Sequence, residues 1–298
     1  MGRKICRRHT ENGDFFVKIL VTGAAGFVGR HVVSELLARG HQVIAIDRDE
    51  SRARTMPWFQ KCRFIAFDVY SPIEDPQEIF GHADAVIHLA WQGLPNYKDL
   101  FHIETVLPAD YRFLKSLVMS GYSQILVTGT CFEYGMHNGC LKEEQPTQPT
   151  TPYALAKDTL RKMLEMLKTK RPFTLQWARL FYMYGEGQNP GSLLAQLDRA
   201  IETGVSSFNM SGGEQLRDYL PVEKVSAHLV AIIENRDFDG IVNVCSGEPI
   251  SVRRLVELRI SEKNAKIHLN LGHYSYPDYE PMAFWGDRSK LNSVLRQR

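Results

Sequence analysis

Tyr153 and Lys157 are the two residues of this chain whose spacing points most directly to chemistry. They lie four positions apart in the stretch TPYALAK, which begins at Thr151. On a helix, residues i and i+4 share one face, so the phenol and the ammonium would be neighbours. A lysine beside a phenol favours the phenolate and brings the tyrosine closer to proton exchange at neutral pH. The same spacing occurs by chance in surface helices, so the rest of the chain must decide between the two interpretations.

A glycine-rich stretch near the N-terminus is the second candidate. TGAAGFVG begins at Thr22, follows the apolar segment KILVT and precedes a helical pattern. Gly23 would permit a tight turn, Gly26 would let the backbone approach a pyrophosphate, and Gly29 would let the helix pack on the strand. The helix N-terminus would then face the phosphates. This context predicts a dinucleotide-binding turn formed by Gly23, Ala25, Gly26, Phe27, Val28 and Gly29.

Acidic residues at the ends of the next apolar segments fit the same interpretation. Asp47 ends QVIAID, and its carboxylate suits the hydroxyls of an adenosine ribose, which favours NAD. Arg48 follows directly and would suit a 2′-phosphate, so NADP stays open. Asp68 ends RFIAFD and is placed to accept a hydrogen bond from an adenine amino group. Further cofactor contacts are expected from Val69, Leu89 and Ala90.

These residues need a parallel sheet to bring them together. Short apolar segments alternate with longer helical patterns through the first half of the chain, which predicts an α/β fold of the Rossmann type, a doubly wound parallel sheet covered on both faces. One helix is expected to begin at Pro152, with Thr151 as N-cap, and to run to about Lys168. Beyond residue 180 the loops lengthen and Gly and Pro recur. We therefore expect an NAD(P)-binding domain at 17–180 and a smaller, partly interleaved substrate lobe at 181–298.

Composition narrows the class of protein. The 298 residues are 44% apolar and 23% charged, as in an ordinary globular protein with a sizeable core. The net charge of +2 lies in residues 1–16, which we expect to be a disordered basic tail, and the balanced remainder gives no reason to expect nucleic acid as a partner. Five scattered cysteines without C-x-x-C predict a cytoplasmic protein without disulfides or bound metal. The sequence contains no run of 18 apolar residues, the length that would indicate a membrane-spanning helix.

Six stretches together resemble the extended short-chain dehydrogenase/reductases, in their nucleotide-sugar epimerase/dehydratase/reductase branch. They are GAAGFVG, HLAW, GTCFEYG, PYALAK, RLFYMYGEGQ and RDYLPVEKVS, and the resemblance covers about residues 17–295. It implies that Tyr153 is the catalytic acid/base, that Lys157 lowers the pKa of Tyr153 and binds the nicotinamide ribose, and that Thr130 hydrogen-bonds the reacting oxygen. The implied chemistry is hydride transfer between a nicotinamide and a sugar carbon, while Tyr153 moves the proton on the oxygen of that carbon.

Departures from the family pattern exclude some members of the branch. Dehydratases carry Asp-Glu directly after the threonine, whereas this chain has Cys131 and Phe132, and Glu133 comes one position too late. Enzymes similar to GDP-fucose synthase use a cysteine and a downstream histidine, but Cys131 lies one place off that pattern. We therefore expect Cys131 to be an inert neighbour of the substrate. Tyr182 and Arg217 are the other expected substrate contacts, Arg217 as a diphosphate ligand.

Two functions remain open after these exclusions. The favoured one is reduction of a 4-keto-6-deoxyhexose, dTDP-linked by preference, to the 4-hydroxy sugar, because the substrate lobe is short and Tyr182 stands where epimerases carry Asn. The alternative is redox-neutral 4-epimerisation of a nucleotide sugar. A reductase of a non-sugar carbonyl and a non-catalytic dinucleotide sensor are less favoured, since Thr130, Tyr153 and Lys157 are all present. The resemblance also implies a homodimer formed through the helices at about 100–119 and 152–168.

Overall fold

The computed structural model describes residues 17–296, so the tail predicted at 1–16 lies outside the described residues. The strands are β1 (Lys18–Thr22), β2 (Gln42–Asp47), β3 (Arg63–Ala66), β4 (Ala85–His88), β5 (Gln124–Thr130), β6 (Gly139–Leu141), β7 (Thr174–Leu180), β8 (Tyr182–Tyr184), β9 (Ser207–Asn209), β10 (Leu216–Pro221), β11 (Gly240–Val244), β12 (Pro249–Ser251), β13 (His268–Asn270) and β14 (Phe284–Gly286). The helices are α1 (Phe27–Ala38), α2 (Glu50–Arg54), α3 (Pro76–Phe80), α4 (Leu107–Met119), α5 (Pro152–Lys168), α6 (Leu193–Glu202), α7 (Val222–Glu234), α8 (Val252–Glu262) and α9 (Ser289–Arg296). A π-helical turn at His102–Val106 precedes α4, and short 3-10 helices lie at Phe59–Lys61 and Cys131–Tyr134.

Seven parallel strands form the central sheet, in the order β11-β7-β5-β4-β1-β2-β3. The middle strands are buried on both faces, which is why their sequences are continuous apolar runs instead of alternating ones. Connections run outward from β1 in both directions, which is the doubly wound topology. The predicted fold class is therefore confirmed.

Helices cover both faces of this sheet with separate apolar cores. On one face α1, α7 and α9 contribute a cluster that includes Val32, Leu36, Val225, Leu229 and Leu291. On the other face α4 and α5 contribute a cluster that includes Leu114, Leu117, Leu160 and Leu164. Each leucine buried this way contributes roughly 2 kcal/mol of transfer free energy. The two clusters fix the sheet between its helix layers.

The helix that carries Tyr153 and Lys157 begins where the sequence indicates. The Thr151 hydroxyl accepts a hydrogen bond from the Ala154 amide at 3.2 Å, and Pro152 occupies the first turn. The apolar face of α5 packs on the sheet, and its last residue is Lys168. Both predicted ends of this helix are confirmed.

A smaller lobe follows the first six strands of the large sheet. Its sheets are β12-β10-β8 and β13-β9, and α6 and α8 supply a core that includes Leu194, Leu197, Phe208 and Val256. The chain does not stay in this lobe, because α7, β11 and α9 return to the large sheet. The two regions are interleaved, and a folding boundary at residue 180 stays a prediction.

Candidate active site

A cavity of about 1070 Å³ runs along the carboxyl ends of the central strands, between the large sheet and the smaller lobe. This is the place where open α/β sheets bind ligands. The volume is at the upper end of the range for small-molecule sites. The cavity therefore has room for a dinucleotide and a second ligand together.

The glycine turn forms one end of this cavity. Gly23 has φ +66°, and a Cβ there would lie 2.9 Å from the Ala90 amide nitrogen. A Cβ at Gly29 would overlap the carbonyl oxygen of Gly23. A side chain at either position would therefore collide with backbone atoms, and the turn could not keep this conformation. The residues of this stretch that line the cavity are Gly23, Gly26, Phe27, Val28 and Gly29, whereas Ala25 is buried behind them.

Asp47 connects this turn to the end of β2. Its Oδ2 accepts a hydrogen bond from the Ala25 amide at 2.9 Å, and its Oδ1 accepts one from the Asp49 amide at 3.1 Å. Arg48 also lines the cavity and donates to Gln92 Oε1 at 3.0 Å. The remaining expected cofactor contacts that line this end are Asp68, Val69, Leu89 and Ala90. A glycine cradle at a helix start, with a carboxylate at the end of the next strand, fits a dinucleotide.

Thr130, Tyr153 and Lys157 meet deeper in the same cavity. Thr130 ends β5, while Tyr153 and Lys157 lie one turn apart at the start of α5. The Lys157 ammonium donates to the Thr128 carbonyl at 2.9 Å and lies 3.9 Å from the centre of the Trp91 ring. The three residues that the sequence singled out are thus brought together beside the glycine turn.

The pKa values of this group reflect its burial. Burial raises the pKa of the Tyr153 phenol, with Tyr97 and Glu133 adding to the effect and the Thr130 hydrogen bond opposing it. Burial lowers the pKa of the Lys157 ammonium to about 8, opposed by the negative charges of Asp110 and Glu133. The lowering of the Tyr153 pKa by Lys157, which the family resemblance implies, stays a prediction.

Cys131 and Glu133 lie directly after Thr130 and have different surroundings. Cys131 lines the cavity but is buried, and burial raises the pKa of its thiol, so the sulfur stays protonated. Glu133 is fully buried and accepts hydrogen bonds from the Thr130 amide at 2.9 Å and from Arg179 Nε at 2.7 Å. Its carboxylate therefore faces the protein interior and not the cavity.

The other expected substrate contacts, Tyr182 and Arg217, differ in position. Tyr182 lines the cavity. Arg217 lies behind the cavity wall, only 3% exposed, and donates from Nε and Nη2 to Glu280 Oε2 at 3.0 and 2.8 Å. Glu280 lines the cavity. The guanidinium that the sequence assigns to a diphosphate is thus paired with a carboxylate of the same wall.

This wall also contains residues that were not among the expected site residues. Trp91 and Tyr97 contact the Tyr153 ring at 5.8 and 5.5 Å between ring centres. Tyr279 lies 5.8 Å from Tyr97, in the stretch HYSYPDYEPMAFWGD. From the sequence alone, the tyrosines of this stretch suit ligand binding and packing of the small lobe equally well. No local sequence pattern marks Glu280 as a site residue, because an acid after a tyrosine in a loop is usually a solvated surface residue.

Two further observations concern metal-ligating side chains and the lengths of the helices. Within residues 17–296, no three His, Cys, Asp or Glu side chains are grouped so as to hold a metal ion. In the same part of the chain, no helix has both the length and the apolar character needed to cross a bilayer.

Comparison with known proteins decides the family. Residues 19–245 match the NAD dependent epimerase/dehydratase family. The chain belongs to this family. It is 32% identical over 272 residues to the dTDP-6-deoxy-L-talose 4-dehydrogenase (NAD(+)) of Aggregatibacter actinomycetemcomitans, covering 91% of this chain and 99% of that one.

Two more relatives agree with the family. The dTDP-4-dehydro-6-deoxyglucose reductase of Escherichia coli is 25% identical over 255 residues, covering 80% of this chain and 79% of that one. The structure of MoeE5 in complex with UDP-glucuronic acid and NAD superposes with a TM-score of 0.81 at 26% identity, covering 94% of this chain and 92% of that one. The expected family, its enzymatic character and its nicotinamide cofactor are therefore confirmed.

Proposed function

We propose that this protein is an NAD(P)-dependent oxidoreductase that interconverts the keto and hydroxyl groups at C4 of a nucleotide-linked 6-deoxyhexose, with a dTDP-linked sugar as the favoured substrate. The observation that carries the proposal is the meeting of Thr130, Tyr153 and Lys157 in the cavity that the glycine turn lines. The similarity to a dTDP-6-deoxy-L-talose 4-dehydrogenase along nearly its whole length supports the choice of sugar and carbon.

The cofactor end of the proposed site would hold NAD(P) through backbone and carboxylate groups. The turn from Gly23 to Gly29 would bind the pyrophosphate at the start of α1, and Asp47 would bind the adenosine ribose. Asp68 and Val69 would border the adenine, while Lys157 would bind the nicotinamide ribose. When bound, the reduced nicotinamide supplies a hydride to the reacting carbon.

The protein's own residues would control the proton. Tyr153 donates its phenolic proton to the oxygen at C4 during reduction and takes it back during oxidation. Thr130 hydrogen-bonds the same oxygen and fixes its position relative to the phenol. The charged Lys157 favours the phenolate that remains after proton transfer, which offsets the effect of burial on Tyr153. Cys131 borders the sugar without exchanging a proton, because its thiol is buried and protonated.

A direct assay tests this proposal. Purified protein is mixed with a dTDP-4-keto-6-deoxyhexose and NADH or NADPH, and the near-ultraviolet absorbance of the nicotinamide is followed. We expect the absorbance to fall in step with one 4-hydroxy sugar, whose configuration at C4 nuclear magnetic resonance then gives. Steady absorbance with both nicotinamides would overturn the proposal. Inversion of a saturated nucleotide sugar at C4, without net use of nicotinamide, would show the 4-epimerase instead.

We also propose a homodimer formed through α4 and α5. Three large apolar side chains stay exposed on these helices, namely Met119, Leu155 and Met166 at 57%, 44% and 66%. Light scattering after size exclusion should give twice the chain mass. Leu155→Glu with Met166→Glu should give the single-chain mass, whereas Leu258→Glu on α8 should leave the dimer intact. A single-chain mass for the unchanged protein would contradict the proposal.

A further inference from the structure

A histidine that the proposed function does not use lies against Tyr153. His102 is fully buried and begins the π-helical turn that precedes α4. Such turns are rare and occur most often at functional sites. The centre of the His102 ring lies 5.3 Å from the centre of the Tyr153 ring. The two ring nitrogens of His102 therefore need to be accounted for.

Both nitrogens of His102 have partners, and these partners fix the protonation of the ring. Nδ1 lies 3.1 Å from Trp91 Nε1, and an indole N–H can only donate, so Nδ1 must accept. Nε2 lies 3.1 Å from the Asn96 carbonyl oxygen, which can only accept, so Nε2 must carry the proton. His102 is therefore a neutral imidazole with one defined tautomer.

Trp91 is the partner that connects this histidine to the active site. Its ring centre lies 3.9 Å from the Lys157 ammonium and 5.8 Å from the ring centre of Tyr153. One indole thus contacts both groups to which the proposed function assigns the proton transfer. Trp91 follows β4 in a loop, where a side chain has several rotamers open to it. The hydrogen bond from its Nε1 to His102 holds it in the one observed.

The Lys157 ammonium needs such a neighbour because its side chain is flexible. A lysine carries three equivalent donors at the end of a four-carbon stem. The Thr128 carbonyl accepts from one of them at 2.9 Å, and the face of the Trp91 ring lies against the ammonium as well. Lys157 also lines the cavity. The indole therefore limits the directions in which Lys157 can bind a ligand there.

His102 also fastens the loop that carries the indole. Its Nε2 donates to the Asn96 carbonyl, and the Tyr153 amide donates to the Tyr97 carbonyl at 3.1 Å. Two consecutive carbonyls of the loop are thus bonded to the histidine and to the first turn of α5. Gly93 passes so close that a Cβ there would lie 3.0 Å from His102 Cε1. The loop, the histidine and the start of α5 form one packed unit.

We propose that His102 and Trp91 are a positioning pair of the active site, in which the neutral imidazole holds the indole against Lys157 and Tyr153. The inference rests on the roles proposed above for Tyr153 and Lys157. Neither ring of the pair exchanges a proton with substrate, because both nitrogens of His102 are already bonded and an indole is only a donor. The pair acts by keeping the phenol and the ammonium in one arrangement, which efficient proton transfer requires.

Acid should break the pair. Protonation of His102 places an N–H on Nδ1, opposite the indole N–H, and the hydrogen bond between them is lost. Burial lowers the pKa of His102, and the charge of Lys157 lowers it further. The hydrogen bond to the Asn96 carbonyl and the charge of Asp99 oppose this lowering without reversing it. The Tyr153 phenol also lies against the ring, and it is uncharged because burial raises its pKa.

Nuclear magnetic resonance of the indole N–H groups tests the pair without substrate. The chain has four tryptophans, and the indole resonance that Trp91→Phe removes belongs to Trp91. We expect this resonance to lie downfield of the other three and to move upfield in His102→Phe, which keeps a ring but no acceptor. The unchanged protein should show the same move in acid, below the ordinary pKa of histidine.

The same resonance reports whether the indole is held against Lys157. Burial lowers the pKa of the Lys157 ammonium to about 8, so the Trp91 resonance should shift again near that pH. This alkaline shift should be lost in His102→Phe, because the indole then leaves the ammonium. If His102→Phe does not fold, His102→Asn is used, which keeps an acceptor near the position of Nδ1. It should retain the alkaline shift and lose the acid one.

Kinetics in the assay above provide a second readout. His102→Phe and Trp91→Phe should each lower kcat by about 10–100-fold, with the KM for the sugar nearly unchanged. The double variant should be no worse than either single one, because both break the same hydrogen bond. His102→Asn should recover most of the kcat and should not lose it in acid. Losses that add up in the double variant would mean that the two rings act separately, which would overturn the proposal.

His41→Phe is the matched control. His41 is also buried, and its Nε2 lies 2.9 Å from Glu234 Oε1, away from the cavity lining. The variant should leave the Trp91 resonance and kcat unchanged.

The two readouts separate this proposal from the proposed function. If no nucleotide sugar is turned over but both shifts of the Trp91 resonance depend on His102, the function fails and the pair stands. If turnover is found and neither shift depends on His102, the pair is overturned and the function stands. Unchanged kcat in a folded His102→Phe protein would likewise overturn the positioning role.

Discussion

The cavity has two ends that are built from different parts of the chain. The glycine end is lined by the turn from Gly23 to Gly29, with Asp47 and Asp68 at the ends of the next two strands. The tyrosine end is lined by side chains from well-separated segments, namely Tyr97, Tyr182, Tyr219, Tyr279 and Glu280. The first end takes its shape mainly from backbone, whereas the second takes it from side chains.

This difference determines what each end can tolerate. At the glycine end, added atoms collide with backbone that cannot move, as the overlap between a Gly29 Cβ and the Gly23 carbonyl oxygen shows. At the tyrosine end, one ring can be exchanged for another apolar side chain of similar volume at a smaller cost. Substitutions at the glycine end should therefore weaken binding of the cofactor whichever sugar is present. Substitutions at the tyrosine end should change which sugar is accepted.

Tyr153 lies where the two ends meet, and its replacement should have the largest effect. Tyr153→Phe removes the phenolic proton but keeps the ring that packs against Trp91 and Tyr97. We expect kcat to fall by about 10²–10⁴-fold, the usual range for loss of general acid–base catalysis. Binding of NADH, followed by its fluorescence, should stay within about threefold, because the phenol belongs to neither phosphate nor ribose contacts.

Tyr122→Phe is the matched control for this substitution. Its hydroxyl donates to the Gly81 carbonyl at 2.6 Å, away from the cavity. The variant should lose about 1 kcal/mol of unfolding free energy and keep its kcat. Retained turnover in Tyr153→Phe would remove the acid–base role assigned to this residue.

The next largest effect should come from the glycine end. Gly29→Ala forces its new methyl group against the Gly23 carbonyl, which must displace the turn. A distortion of about 1–3 kcal/mol corresponds to roughly 5–150-fold weaker NAD binding, measurable by calorimetry. Gly204→Ala is the control, since its Cβ meets nothing within 4 Å, although φ is +70°. Equal loss of NAD binding in both variants would show a general folding effect.

The same contrast explains what the sequence can predict. The strand–turn–helix around Gly23 and the helix of Tyr153 are local, because propensity, capping and turn geometry act over a few residues. The position of Ala25 behind the turn is less accessible to such reasoning, since it depends on the hydrogen bond from its amide to Asp47, 22 positions away.

Long-range pairing sets the limit of prediction at the tyrosine end. The motif that contains Arg217 predicts a phosphate ligand, but its partner Glu280 lies 63 positions further along the chain. A single sequence gives no signal for such a contact, because salt bridges depend on packing and not on spacing. The burial of Asp110 was missed for a related reason, as aspartate is rarely buried so completely.

Asp47 gives a sharper test of the glycine end. Asp47→Asn keeps an oxygen for the Ala25 amide but removes the charge that would repel a 2′-phosphate. The ratio of kcat/KM for NADH over NADPH should fall by about tenfold, equivalent to roughly 1.4 kcal/mol. Asp49→Asn, which changes a nearby carboxylate outside the cavity lining, should leave the ratio unchanged. A preference for NADPH in the unchanged protein would mean that Arg48 dominates.

Replacement of Glu280 should have the smallest effect of these substitutions. Whether it makes dTDP binding tighter or weaker shows which group holds the diphosphate. Its carboxylate holds the Nε and Nη2 donors of Arg217, so a diphosphate that uses Arg217 must compete with it. Glu280→Gln removes the competing charge but keeps the volume, and calorimetry with dTDP should show about threefold to tenfold tighter binding. Asp278→Asn, an exposed acid paired with Lys98, should leave dTDP binding unchanged. Weaker binding in Glu280→Gln would mean that Glu280 itself holds the ligand and that the diphosphate lies elsewhere than at Arg217.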